Sequence, residues 1–221
     1  MKPRESASPS AALSRLFDAE REVRRISAEL LRGKPRELLD ALTAAIADAK
    51  RQPESEAALR LVRVAPLLGE LEGPGAVDAL IDVLDADSGE ARWAAGEELR
   101  ELAFDRFKEV ALGMERALAR LPHDAVALTE LPFVVTEIPE PGVAKLLAKF
   151  LEHPSADVVT AGLEAAVELG DPRIKPAIER LLDDTRQVSM EDEDGEVDEA
   201  TVGELAADAL DMFDGGDDGD A

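Results

Sequence analysis

The sequence predicts an all-α fold, a right-handed α-α superhelix (α-solenoid) of about five two-helix repeats with one extra helix at its N-terminus. Three observations predict it. One helical pattern, residues 91–102, can be laid over residues 158–169 and 202–213. Helix start signals recur every 31 to 39 residues. The composition is 45% hydrophobic but only 3% aromatic, which favours helices packed closely through Ala, Leu, Val and Ile. A repeating unit of this length is typical of a stacked helical array.

Proline at the first helical position, often behind a capping residue, marks most of the helix starts. Four starts carry a proline, and Asp105-Arg106 supplies a fifth without one; the prolines are Pro35, Pro74, Pro141 and Pro172. These signals divide residues 35–213 into units of two helices each, near 35–72, 73–104, 105–139, 140–170 and 171–213. We expect Pro132 to kink the second helix of the third unit.

Three segments depart from the repeat. Residues 1–34 contain an amphipathic helix whose apolar positions include Leu13, Leu16, Phe17, Val23, Ile26, Leu30 and Leu31. We expect this helix to cap the first repeat, and a partner-binding helix is the alternative. Residues 185–200 form an acidic insertion that is expected to lengthen the turn between the last two helices. Residues 214–221 are charged and poor in apolar residues, which predicts a disordered acidic tail.

The formal net charge is −24, and it is distributed unevenly. Residues 1–36 carry a net charge of +4, whereas residues 183–221 carry −15. A field of this sign repels nucleic acid and anionic lipid, so neither is expected as a partner. It favours a basic partner instead, with solubility as the alternative explanation of the acid.

The N-terminus lacks the apolar run of a signal peptide, and no uninterrupted apolar stretch approaches 18 residues. We therefore expect no membrane span and a cytoplasmic protein. The chain contains no cysteine, so disulfides, thiolate metal sites and cysteine nucleophiles are excluded.

Residues 77–85, followed by residues 90–95, resemble a HEAT repeat and are most similar to the subtype called PBS-lyase HEAT-like. Residues 201–210 look like the terminal repeat of many bacterial HEAT proteins. The resemblance covers about residues 35–213. It implies that the second helix of each pair lines the concave side of the array. It implies less about function, because such repeats serve scaffolds, lyases and adaptors alike.

Aligning the second helices brings matching residues onto one helical face, at positions i, i+4 and i+8. With the placement that the resemblance implies, this face predicts a partner-binding surface, which we call the second-helix face: Trp93, Glu97, Glu101, Thr129, Phe133, Glu137, Thr160, Glu164, Glu168, Glu204 and Asp208. An ordinary solvated helix face is the alternative.

A ladder of like charge on successive second helices is the most informative feature of these helices: it consists of Glu70, which precedes the second-helix face, and of Glu101, Glu137 and Glu168 within it. Neighbouring helices lie about 10 Å apart, so a basic partner laid along the ladder would relieve the repulsion between its carboxylates. Trp93 and Phe133 could anchor such a partner. For Trp93, burial between repeats is the alternative.

Catalytic and metal-binding patterns are not found. The two histidines, His123 and His153, fall in turns of successive repeats and lack the context of a Ser-His catalytic motif. The two histidines could form a metal site together with Asp124, but the pattern favours the interpretation that they are ordinary turn residues. We expect no enzyme, no cofactor and no metal.

The sequence thus predicts a non-catalytic protein–protein interaction adaptor or scaffold that binds a basic protein or peptide in an acidic concave groove. One alternative is an immunity or inhibitor protein that neutralises a basic nuclease or DNA-binding protein by charge mimicry. The resemblance also implies a bilin lyase-like accessory enzyme, which the absence of Tyr and the acidic groove disfavour. We expect a monomer, with head-to-tail self-association between the basic and acidic ends as a further alternative.

Overall fold

A computed structural model describes residues 8–191 and 197–215. Within these residues the chain forms an all-α superhelix with one small hairpin. The helices are α1 (Pro9–Leu31), α2 (Pro35–Ala49), α3 (Glu54–Gly69), α4 (Pro74–Leu84), α5 (Gly89–Arg120), α6 (Val126–Glu130), α7 (Val143–Leu151), α8 (Ala156–Leu169), α9 (Lys175–Ile178) and α10 (Val202–Gly215). Short 3-10 helices span Leu131–Val134, Pro172–Ile174 and Glu179–Leu181.

Consecutive helices pair, and the pairs stack on one another. Within pairs, α2 packs on α3, α4 on α5, and α7 on α8; between pairs, α3 contacts α5 and α8 contacts α10. The predicted fold class is therefore confirmed. The division into five repeats at the boundaries given above stays a prediction.

The third pair is less regular than the others. Helix α5 is in fact two helices that meet at Arg106, whose φ of −139° and ψ of 47° are non-helical. This break falls where the sequence places the start of the third repeat. In the second helix of this pair, α6 ends at Glu130 and a 3-10 helix begins at Leu131. Pro132 explains the change, because proline has no N–H with which to continue the α-helical bonding.

Local signals explain where the helices begin and end. Ser88 caps α5, its side chain accepting a hydrogen bond from Ala91 N at 3.4 Å. Gly73, with φ of 102°, turns the chain into Pro74 at the start of α4. Gly170, with φ of 64°, ends α8 and donates its N–H to the carbonyls of Ala166 and Val167.

The hydrophobic core runs without interruption from Leu38 in α2 to Ala209 in α10. It is built mostly of aliphatic residues; its largest fully buried side chains include Leu80, Leu99, Met114, Leu128 and Phe150. Each such side chain contributes about 1.5–3 kcal/mol on burial. The core fixes the second helices, so their outward faces become a rigid surface.

Helix α1 lies at the edge of the array and contains no buried residue. Of its predicted apolar positions only Val23 is half-buried, whereas Leu16 and Phe17 are 60% and 55% exposed. Glu20 on the inward side reaches Arg63 of α3 at 3.7 Å. The packing therefore does not provide the cap expected from the sequence, because α1 turns mainly polar and small residues inward. A partner-binding role for α1 stays a prediction.

The acidic insertion forms a hairpin where the sequence predicted only a longer turn. Strands β1 (Gln187–Glu191) and β2 (Val197–Thr201) pair antiparallel, with Gln187 opposite Thr201. Val188 is buried beneath the hairpin, close to α8. The strands could not be predicted from the sequence, because both contain Asp or Glu, which are poor strand formers. Residues 192–196 and most of the predicted tail, 216–221, lie outside the described residues, while 214 and 215 belong to α10.

Two glycines should respond oppositely to alanine. A Cβ at Gly203 would stand 2.6 Å from the Leu182 carbonyl oxygen, whereas a Cβ at Gly96 would meet nothing closer than Leu84 Cδ1 at 3.9 Å. We expect Gly203→Ala to lower the free energy of unfolding by about 1–3 kcal/mol. We expect Gly96→Ala to raise it by about 0.5–1 kcal/mol, since Gly96 lies inside a helix. Urea unfolding of both variants measures this, and equal effects would contradict the packing described for α10.

Candidate functional site

The aromatic and threonine positions of the second-helix face differ widely in exposure. Trp93 is 71% exposed, so the alternative that it belongs to the core between repeats is wrong. Phe133 is half-buried and packs against the core. Thr160 is only 9% exposed, although the sequence placed it on the same surface. The face is therefore not a uniform row of solvated side chains.

A cavity of about 240 Å³ lies between α5 and the 3-10 helix that follows α6, and Trp93, Glu97 and Phe133 help to line it. Two arginines line it as well. Arg92 Nε lies 3.3 Å from Glu130 Oε1, and Arg100 forms an ion pair with Glu97. This part of the face is consequently close to neutral. Both arginines fall outside the aligned i, i+4 positions, so the sequence pattern does not indicate them.

An acidic cluster adjoins this cavity. Burial, followed by the charges of Glu101, Glu70 and Glu97, raises the pKa of Glu98 above its ordinary value. Glu98 was not among the predicted residues. Its carboxylate packs over Gly69, where the missing Cβ leaves room for it. The shift shows that Glu70 and Glu101, two members of the predicted ladder, lie near enough to Glu98 to disfavour its charge.

A second cavity of about 410 Å³, which we call the α8–α10 groove, brings together four predicted residues: Thr160, Glu164, Glu168 and Asp208. The rest of its lining is apolar: Leu163, Val167, Leu205, Ala209 and Met212. No lysine, arginine or histidine lines it. Within the described residues its three carboxylates form no ion pair.

The carboxylates of the α8–α10 groove are held in different ways. Burial raises the pKa of Glu164, so its charged form is disfavoured in the free protein. A cation beside it would offset that cost. Glu168 Oε1 accepts a hydrogen bond of 2.7 Å from Thr136 Oγ1, which ties the third helix pair to the fourth. The groove therefore combines an apolar wall with carboxylates and has no basic residue in its lining.

Four predicted residues line neither cavity: Glu101, Thr129, Glu137 and Glu204. The Thr129 hydroxyl donates to the Val126 carbonyl at 2.9 Å. Glu204 accepts hydrogen bonds from Thr201 N at 2.7 Å and Thr201 Oγ1 at 2.8 Å, and these bonds lower its pKa. This is a capping box at the start of α10, so the structure gives Glu204 a folding role.

The two histidines meet, as their positions in successive turns allow. Their ring centroids are 5.1 Å apart in an edge-to-face arrangement. His153 is buried, and its Nδ1 accepts a hydrogen bond from Ser155 N at 3.2 Å. Among the described residues no group of three or more His, Asp or Glu is placed to hold a metal ion. The pair is thus part of the packing at this edge of the stack.

Stability should depend on pH through His153. Burial, with smaller effects of His123 and Arg186, lowers its pKa below the ordinary 6.5. The unfolded chain therefore takes up a proton near pH 6.5 that the folded chain refuses, so this contribution to stability falls as pH drops through that range. In His153→Asn, the amide oxygen can replace Nδ1 as acceptor but does not titrate. The difference in unfolding free energy, wild type minus variant, should fall between pH 7.5 and 5.5. A constant difference would contradict a buried neutral His153.

No protein-family model matches the chain, and no curated protein matches it. Among solved structures, an engineered protein is 18% identical, covering 87% of this chain and 89% of its own, with a TM-score of 0.36. A computationally designed armadillo repeat protein for modular peptide recognition is 17% identical, covering 89% and 94%, with a TM-score of 0.34. A designed armadillo repeat protein in complex with the peptide (KR)4 is 18% identical, covering 93% and 95%, with a TM-score of 0.35.

The stacked helix pairs and their continuous core define the class of the chain: it is a helical-repeat solenoid. Within the residues that the structure describes, none of the helices is both long enough and apolar enough to cross a membrane.

Proposed function

We propose that this chain is a non-catalytic protein-interaction scaffold that binds a basic peptide or a basic protein surface on its second-helix face. The proposal includes the concave placement of that face and the HEAT-like, PBS-lyase HEAT-like character of the repeats. Both come from the sequence resemblance.

The observation that carries the proposal is the uncompensated charge of the α8–α10 groove. Elsewhere on the surface, carboxylates commonly pair with arginines; Arg116 with Asp78 at 2.8 Å and Arg120 with Asp82 at 2.8 Å are examples. In the groove, three carboxylates stand together with no cation in the lining. A basic partner would supply the missing cations and gain both attraction and orientation. The exposed Trp93 adds a large apolar contact further along the face.

We propose that the contact lies toward the C-terminal end of the array. The sequence placed the centre of binding at Trp93 and Phe133, but Arg92 and Arg100 neutralise the acid around these residues. We therefore propose that charge recognition resides mainly in Glu164, Glu168 and Asp208, with the Glu98 cluster as a second acidic region. The immunity or inhibitor protein remains an alternative that uses the same surface. The bilin lyase-like accessory enzyme is a further alternative.

Charge reversal tests the proposal. The probe is a fluorescently labelled octapeptide of alternating Lys and Arg, titrated at low salt. Glu164→Lys combined with Asp208→Lys should weaken binding by about tenfold or more, because attraction at the groove becomes repulsion. The matched control, Asp40→Lys with Asp124→Lys, makes the same change in net charge at exposed carboxylates outside the second-helix face. It should weaken binding by less than about threefold. Equal losses in the two variants would contradict a localised site.

Salt dependence provides a separate test. Binding carried by exposed charge should weaken steadily as NaCl is raised, since ~1 M salt screens charges beyond about 3 Å. We expect the wild-type affinity for the octapeptide to fall continuously between 50 mM and 500 mM NaCl as read by fluorescence anisotropy. An affinity that does not change over this range would overturn the charge-based account.

A further inference from the structure

We propose that the α8–α10 groove is a subsite for one apolar side chain of the partner, such as leucine or methionine, with basic residues on both sides of it. This inference rests on the proposed function and deepens it. It assigns the groove a defined ligand: an apolar residue within a basic segment. If charge alone determined binding, any cationic chain would bind.

The shape and lining of the groove point to an apolar occupant. A volume of about 410 Å³ falls in the range of pockets that enclose a ligand group, and apolar atoms dominate its lining. Met212, at one edge, is 63% exposed in the free protein. An apolar side chain placed between Val167, Leu205 and Met212 would remove these surfaces from water together with its own.

Thr160 lines the groove without offering an accessible hydroxyl. Its Oγ1 is buried and, within the described residues, has no hydrogen-bond partner. A bound segment would therefore meet this part of the wall through the apolar part of the threonine side chain.

Charge complementarity selects the basic flanks. Glu164, Glu168 and Asp208 line the same groove, and no cation accompanies them. The apolar face of α1 in a second copy is a competing occupant, because Leu13, Leu16 and Phe17 are exposed. However, residues 9–31 hold four arginines and four acidic residues, so α1 itself carries no net charge, and the net charge of +4 of residues 1–36 lies in the segments that flank it. Three of these arginines pair with acids of α1 itself: Arg21, Arg24 and Arg25. Charge therefore favours a basic segment of another protein.

Two labelled heptapeptides test the inference. One has leucine at its centre with three basic residues on each side, and the other has alanine at the centre. The leucine peptide should bind the full chain about tenfold more tightly. Met212→Ser should reduce this preference below about threefold, because it removes one apolar wall. The matched control Leu112→Ser, at a residue that is 45% exposed outside the groove, should keep the preference.

The outcomes separate this inference from the proposed function. If both peptides bind equally and the Glu164→Lys, Asp208→Lys variant loses both, the subsite is overturned while the basic-partner proposal stands. If neither peptide binds, both are overturned. A preference for leucine that survives Met212→Ser would place the apolar contact outside the groove and also overturn the subsite. Analytical ultracentrifugation of the wild type tests whether α1 of a second copy occupies the groove. Dimers that disappear on Phe17→Ser would assign the groove to α1 and overturn the proposal that it binds a basic segment of another protein.

Discussion

Close approach of paired helices is the constraint on which the rest of the molecule depends. Where α7 and α8 meet, a Cβ on Gly162 would stand 3.2 Å from Phe150 Cβ and 3.0 Å from Leu151 Cδ2. Ala91, Ala95, Ala165 and Ala166 are fully buried in the same layer of second helices. Small residues at the contact let the helices pack at short distance. The charged residues of the second helices are left on the outward faces, where they form the exposed surface.

The balance of charge on that surface follows from how each pair is linked to the next. Arg92 joins the second pair to the third through Glu130, and the Thr136 hydroxyl joins the third pair to the fourth through Glu168. The ion pair between Arg92 and Glu130 neutralises both of their charges, whereas the hydrogen bond from Thr136 leaves Glu168 negatively charged. Acidity therefore accumulates toward α8 and α10, where the core ends and apolar surface also becomes accessible.

The sequence predicted the fold well because periodicity and proline position are local signals. The helix starts at Pro35 and Pro74 coincide with the structure, and the break at Arg106 follows the spacing even without a proline. The hairpin at Gln187–Glu191 could not be predicted, because its stability comes from pairing and from burial of Val188 against the array. The packing of α1 could not be predicted either, since an amphipathic pattern does not determine which face of the helix contacts the array.

The site was predicted in outline only. Alignment placed Thr160, Glu164, Glu168 and Asp208 on one face, and the structure joins them in one groove. Ion pairing depends on side-chain direction between repeats, so the neutralising role of Arg92 and Arg100 was missed. The capping box of Thr201 and Glu204 was not predicted either, and the partner contact of Glu204 stays a prediction.

The most direct test of the account is a map of where a basic segment contacts the protein. Backbone amide shifts of the isotope-labelled chain would be followed in NMR spectra while the leucine-centred basic peptide is added. The account predicts the largest changes in α8 and α10, around Glu164, Asp208 and Met212, with smaller changes near Trp93. Changes confined to α1 or to the first helices of the pairs would contradict it.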